Sequence, residues 1–144
     1  MSRDPRKLQA FVLADALVLD VYRATTRLPA EERYGLQAQL RRGAVSVAAN
    51  LVEGSARRTK RDYLHFVSIA IGSASEVRYL LSVAQRLGFL ESDAAQQMMH
   101  GYGRAIRALQ SLVTTLEAEP EVRGPRPEAR GPRPRLKYLP MYPG

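Results

Sequence analysis

The stretch "ANLVEGSARRTKRDYLHF", residues 49–66, holds the end of one helical pattern, a corner, and the start of another. An apolar stripe runs into Glu53 and Gly54. Four cationic side chains then fall within five residues: Arg57, Arg58, Lys60 and Arg61. A new stripe begins at Tyr63 and Phe66. Thr59, followed three residues later by Asp62, reads as a helix start, with Asp in place of the usual Glu or Gln of a capping box. Gly54 suits the left-handed position just past a helix end. The chain therefore turns from helix to helix here, and its densest positive charge sits at the turn.

The same period extends in both directions. Leu36, Leu40, Ala44, Val47, Ala48 and Leu51 form one face upstream. Tyr63, Phe66, Val67, Ala70, Ala74, Val77, Leu80, Leu81, Ala84 and Leu87 form another downstream. Leu8, Phe11, Val12, Val18 and Tyr22 precede them, and Met98, Tyr102, Ala105, Ile106, Leu109, Leu112, Val113 and Leu116 follow. Spacings of three, four and seven are those of amphipathic helices, not of strands. Pro5 and Pro29 suit first-turn positions, Glu31 and Glu32 favour a helix N-terminus, and Ser92 is placed to cap a last helix. Helices are expected near 5–27, 30–53, 60–87 and 92–118. Short connections make sequential helices antiparallel, so the expected fold is all-α, an antiparallel up-down four-helix bundle over residues 1–119.

From Pro120 the composition changes. Seven of the nine prolines lie there, and "RGPRP" occurs at 123–127 and again at 130–134. Proline removes backbone donors, so an extended, polyproline-like basic arm is expected over 120–144. Its apolar end, "LKYLPMYP", could dock on the bundle or on a neighbour. The arm carries six cationic and two acidic side chains, so it holds half of the net charge of +8. Both parts of the chain are basic, which favours anionic partners.

Other classes are narrowed by composition. There is no Cys, which excludes disulfides, thiolate metal sites and Cys nucleophiles. The N-terminus shows no signal-peptide pattern, and no segment reads as a membrane span. A cytoplasmic protein is expected, with no membrane association. His65 and His100 lie on different helices without a metal-ligand motif, no phosphate-cradling Gly-rich loop or nucleophile elbow is present, and no cofactor is implied.

A polar stripe runs beside the apolar face at the corner: Ser46, Asn50 and Glu53, spaced four and three apart. Gly72, Ser73 and Glu76 repeat it on the next helix. With Gly43, Ala44, Ala48 and Ala74, these small residues allow the two helices to approach closely. One reading is a structural seam that sets helix register. The other is a catalytic carboxylate pair, Glu53 with Glu76. Glu53 in a last helical turn opposes the helix dipole, and Arg57 and Arg58 are near enough to compensate it.

The segment "QLRRGAVSVAANLVEGSARRTKRDYLHFVSIAIGSASEV", residues 39–77, resembles the four helix bundle protein family, also called the 23S rRNA intervening-sequence protein family. The residues that carry the resemblance are Arg41, Arg42, Ser46, Asn50, Glu53, Gly54, Arg58, Ala70, Gly72, Ser73 and Glu76. It extends over about residues 6–117. Gly43 departs from the family's usual small apolar residue, and the Pro/Arg tail is not part of the common core. The resemblance implies a left-handed bundle that assembles into a cyclic homo-oligomer, a pentamer. The chain is also similar to the accessory variability determinants of diversity-generating retroelements, basic pentameric rings that work with a reverse transcriptase and nucleic acid.

Two function classes follow. In the first, the protein is a non-catalytic nucleic-acid-binding scaffold, for RNA ahead of DNA. Arg41, Arg42, Arg57, Arg58, Lys60 and Arg61 would neutralise phosphates, and a ring would multiply a modest patch. In the second, it is an adaptor with a protein partner, recruiting an enzyme such as a reverse transcriptase. The bland alternative for the cationic cluster is a solvated charged face.

Overall fold

A computed structural model of the chain describes residues 5–120. The expectations for the proline-rich arm beyond these residues lie outside what is described. Four helices account for most of the described chain: α1 Pro5–Thr25, α2 Leu36–Ser55, α3 Lys60–Arg86 and α4 Ser92–Ala118. A short 3-10 turn, Ala30–Glu32, precedes α2. No strand occurs among the described residues.

Each helix packs on its two neighbours around the bundle, α1 on α2, α2 on α3, α3 on α4 and α4 on α1. No diagonal pair makes comparable contact. Side-chain register shows the antiparallel sense directly. Along α2 and α3, Gly43 meets Val77, Ser46 meets Ser73, and Gly54 meets Phe66 and Tyr63. As one number rises the other falls. The fold is therefore the expected all-α, antiparallel up-down bundle. Its core brings together the predicted faces of α2, α3 and α4, with Tyr102, Leu40, Leu81, Leu109 and Leu112 among the largest fully buried side chains. On α1 the expected stripe is corrected: Ala10, Ala14, Leu17 and Val21 face the core, while Leu8, Val12 and Tyr22 are exposed, because α1 is apolar on more than one side and spacing alone does not choose between them.

The boundaries show where local signals were outweighed. The helix expected over 30–53 is split. Pro29 to Glu32 closes a 3-10 turn, and the Glu32 carboxylate accepts from the Leu36 N–H at 3.0 Å, so α2 starts there. Ser92 does not cap α4. It is the first helical residue, after Glu91, and its hydroxyl instead accepts from Gln85 Nε2 at 2.9 Å, tying α4 to the end of α3. Thr59 caps α3 as expected, accepting from the Asp62 N–H at 3.1 Å.

Gly54 is also not where its residue type suggested. It lies inside α2, which continues to Ser55, and it has no left-handed backbone. A Cβ on Gly54 would sit 3.0 Å from Phe66 Cβ and 3.4 Å from a Tyr63 ring carbon. The residue is small because α3 crosses there. Among the described residues the left-handed glycine is Gly88, with φ 79°. Around it Phe89 N donates to Ala84 O at 2.9 Å and Gly88 N to Gln85 O at 3.0 Å, the paired bonds that close a helix C-terminus.

α3 is long and apolar enough, by length and composition, to cross a bilayer, which differs from the expectation for the sequence. The bundle accounts for that character. Val67, Ala70, Ala74, Val77 and Leu81 are fully buried, and α3 packs on both α2 and α4.

Candidate nucleic-acid interface

The polar seam forms as one connected set of hydrogen bonds across α2 and α3. The Ser46 and Ser73 hydroxyls are 2.9 Å apart. Asn50 Nδ2 donates to Ser46 O at 2.8 Å and to Ser46 Oγ at 3.1 Å. Hydroxyls and amide thus satisfy one another in a partly buried contact, as close helix packing requires. Gly43 belongs to the same contact, since a Cβ there would lie 2.6 Å from Val77 Cγ2. The other members of the predicted stripe stand apart. Gly72 is exposed, with nothing within 4 Å of where a Cβ would be, so it serves no close approach. Glu76 is exposed too.

Glu53 lies at the outer end of the seam and pairs with Arg57, Oε1 to Nη2 at 3.0 Å. Arg57 also donates from Nε to Glu53 O at 3.3 Å and lies over the Phe66 ring at 5.3 Å. This is the compensation the sequence called for, supplied by Arg57. The Ser46–Ser73 contact lies between Glu53 and Glu76, so the two carboxylates do not form a pair.

The six candidate phosphate contacts divide in two. Arg41 caps the C-terminus of α1. Its Nε donates to Thr25 Oγ1 at 2.9 Å and its Nη2 to Tyr22 O at 3.2 Å, while the guanidinium covers the Tyr22 ring at 4.7 Å. Lys60 caps the C-terminus of α4, donating to Leu116 O and Glu119 O at 3.0 Å each. Arg57 is held by Glu53. These three cations answer negative helix ends or a carboxylate inside the fold. Arg42, Arg58 and Arg61 are exposed and make no hydrogen bond or ion pair among the described residues.

The corner has one cation the sequence reading did not include. Lys7, from the start of α1, sits over the Tyr63 ring at 4.9 Å. With Arg58, Thr59, Lys60, Tyr63, Leu116 and Glu119 it lines a cleft of ≈ 410 Å³ beside the N-terminus of α3. No local signal could have found Lys7. It reaches the corner because α1 and α4 close the bundle behind α3. Among the described residues no group of three or more His, Asp or Glu is placed to hold a metal ion.

This geometry defines a class: an antiparallel four-helix bundle whose α2–α3 corner carries surplus positive charge on a hydrogen-bonded seam. The sequence profile of the 23S rRNA-intervening sequence protein family matches residues 6–111, and the chain belongs to that family. Among solved structures the chain is similar to a protein of unknown function from the S23 ribosomal protein family of Bacteroides thetaiotaomicron. That similarity has a TM-score of 0.70 at 16% identity, over 76% of this chain and 98% of the other. At that identity it speaks for the fold. No curated protein matches the chain.

Proposed function

We propose that the protein is a non-catalytic, cytoplasmic RNA-binding scaffold that works as a ring-shaped homo-oligomer, a pentamer as the family resemblance implies. The observation that carries this reading is the division at the corner. After the fold has used Arg41, Arg57 and Lys60, three arginines remain exposed and without a partner among the described residues, in a chain of net charge +8. Unpaired guanidinium groups on a basic surface are suited to phosphates. Membership of a family named for ribosomal RNA supports RNA over DNA.

The ring is supported by apolar surface left open on the bundle. On α1, Leu8, Val12, Leu19 and Tyr22 are exposed at helical spacing, Leu8 by 66% and Val12 by 57%. Val45 and Val52 are exposed on the neighbouring α2. Exposed apolar side chains on adjacent helices suit association, and a head-to-tail contact whose rotation closes makes a ring.

The test is binding of a structured RNA across a salt series, for wild type and for Arg42, Arg58 and Arg61 changed to Gln. Each lost phosphate contact should flatten the slope of log K against log salt by about 0.7–0.9. Variant binding equal to wild type would clear the corner of this role. No RNA binding by wild type at low salt would end the reading and leave the surface to a protein partner. Light scattering of wild type and Val12→Glu tests the ring, and a monomeric wild type would exclude it.

A further inference from the structure

Gly103, on the middle of α4, is buried, and what covers it is two guanidinium groups. From the point where a Cβ would sit, Arg107 Nη1 is 3.5 Å away and Arg78 Nη1, from α3, is 3.6 Å away. The two nitrogens are therefore at most about 7 Å apart, inside the Debye length of about 8 Å at physiological salt. Arg104 adds a third cation one residue along. All three are exposed, and none makes a hydrogen bond or ion pair among the described residues.

Like charges brought together without a carboxylate are an arrangement that an anion relieves. Two guanidinium forks over one point match the oxygens of a phosphate. The groove beside them is lined by Ser75, Arg78, Tyr79, Ser82, Met99 and Ile106. Tyr79 is 63% exposed, so its ring is open at the groove's edge. Arginines interleaved with an open aromatic ring suit a strand whose bases are free to stack. A duplex keeps its bases stacked internally and offers the ring nothing. An acidic protein would satisfy the arginines but gives Tyr79 no such role.

We infer that the α3–α4 groove around Arg78, Arg107 and Tyr79 is a second nucleic-acid contact, one that takes single-stranded RNA. It builds on the RNA-binding reading above and adds a site about 27 Å along α3 from Lys60, at 1.5 Å per residue. A single strand running from corner to groove would engage both.

The test is fluorescence anisotropy with a labelled 20-nucleotide oligouridylate and with an RNA duplex of the same length. The proteins are wild type, Arg78→Gln/Arg107→Gln, Tyr79→Leu, and the corner variant Arg42→Gln/Arg58→Gln/Arg61→Gln. Circular dichroism melts show which variants are folded. The groove double variant should lose roughly 10-fold or more in affinity for the single strand and flatten its salt slope by about 1.4, two contacts at 0.7 each. Tyr79→Leu, which keeps bulk but removes the ring, should lose roughly 5-fold for the single strand and little for the duplex.

If the groove variants bind the single strand like wild type while the corner variant does not, the groove inference fails and the corner reading stands. Equal losses for single strand and duplex would overturn the single-strand assignment. Displacement of the oligouridylate by polyglutamate at matched charge would show a general anion site and overturn it as well. If wild type binds neither RNA, both readings fail.

Discussion

α3 makes two kinds of contact with glycines on its neighbours. Against α2, the space at Gly43 and Gly54 is taken by the side chains of Val77, Tyr63 and Phe66, and a hydrogen-bonded seam runs alongside. Against α4, the space at Gly103 is covered by the ends of Arg78 and Arg107. The first contact is finished within the fold. The second ends in two charges that the described residues leave unpaired. A glycine in a helix contact does not announce its purpose. What covers it decides whether it closes a core or opens a charged groove.

The largest effect is expected at Gly54. Gly54→Val puts methyl groups where Phe66 Cβ and the Tyr63 ring already stand, and overpacking of this kind should cost about 2–3 kcal/mol. Urea denaturation checks it, and Gly72→Val, at an exposed position with open space, should cost far less. If the two variants lose the same stability, close approach is not what Gly54 provides.

The seam comes next. Ser46→Ala leaves the Asn50 amide and the Ser73 hydroxyl short of a partner and should cost about 1 kcal/mol. Ser46→Ala/Ser73→Ala should cost less than the sum of the singles, because the two hydroxyls serve one another. Strict additivity in a denaturation cycle would mean the Ser46–Ser73 contact carries no coupling.

At the corner, the division between used and spare cations predicts a smaller difference. Lys60→Gln removes a charge that two carbonyls at the end of α4 accept, and should lower stability by about 0.5–1 kcal/mol. Arg58→Gln should leave the melting temperature nearly unchanged while weakening RNA binding. Equal stability losses would erase the distinction between the two cations.

The smallest expected effect lies in the core. The Tyr102 hydroxyl is buried and has no hydrogen-bond partner among the described residues. Burial raises the phenol's pKa well above its ordinary value of 10.0, and the charge of Asp20 raises it further. A raised folded pKa means that the folded state holds its proton after the unfolded chain has lost it. Stability from this group is thus complete below about pH 10 and declines above it. Tyr102→Phe should be neutral or stabilising by up to about 1 kcal/mol at neutral pH, and should flatten the alkaline decline. A clear loss of stability would mean the hydroxyl has a partner in solution.

Much of this was legible along the chain. The core faces of α2, α3 and α4 follow from spacing alone, and Thr59 caps α3 where its position said it would; on α1, apolar on more than one side, spacing picked Leu8, Val12 and Tyr22, which are exposed. Ser46, Asn50 and Ser73 meet because they lie at matching heights on adjacent helices. The errors came where a residue's type was read without its neighbours. Gly54 carries the local mark of a helix end, yet Tyr63 and Phe66 determine its role. Ser92 looks like a cap, yet Gln85 engages its hydroxyl. Arg41 and Lys60 look like surface charge, yet each faces the carbonyl end of a helix distant in sequence.

Sequence alone determined the number and order of the helices, the core faces of α2, α3 and α4, and the sign of the charge between α2 and α3. Those properties depend on spacing and composition, which are local. Tertiary structure alone decided which cations are spare, because pairing depends on what other helices bring within hydrogen-bonding distance. It also decided that Lys7 reaches the corner, and that Arg78 and Arg107, on different helices, converge over one glycine.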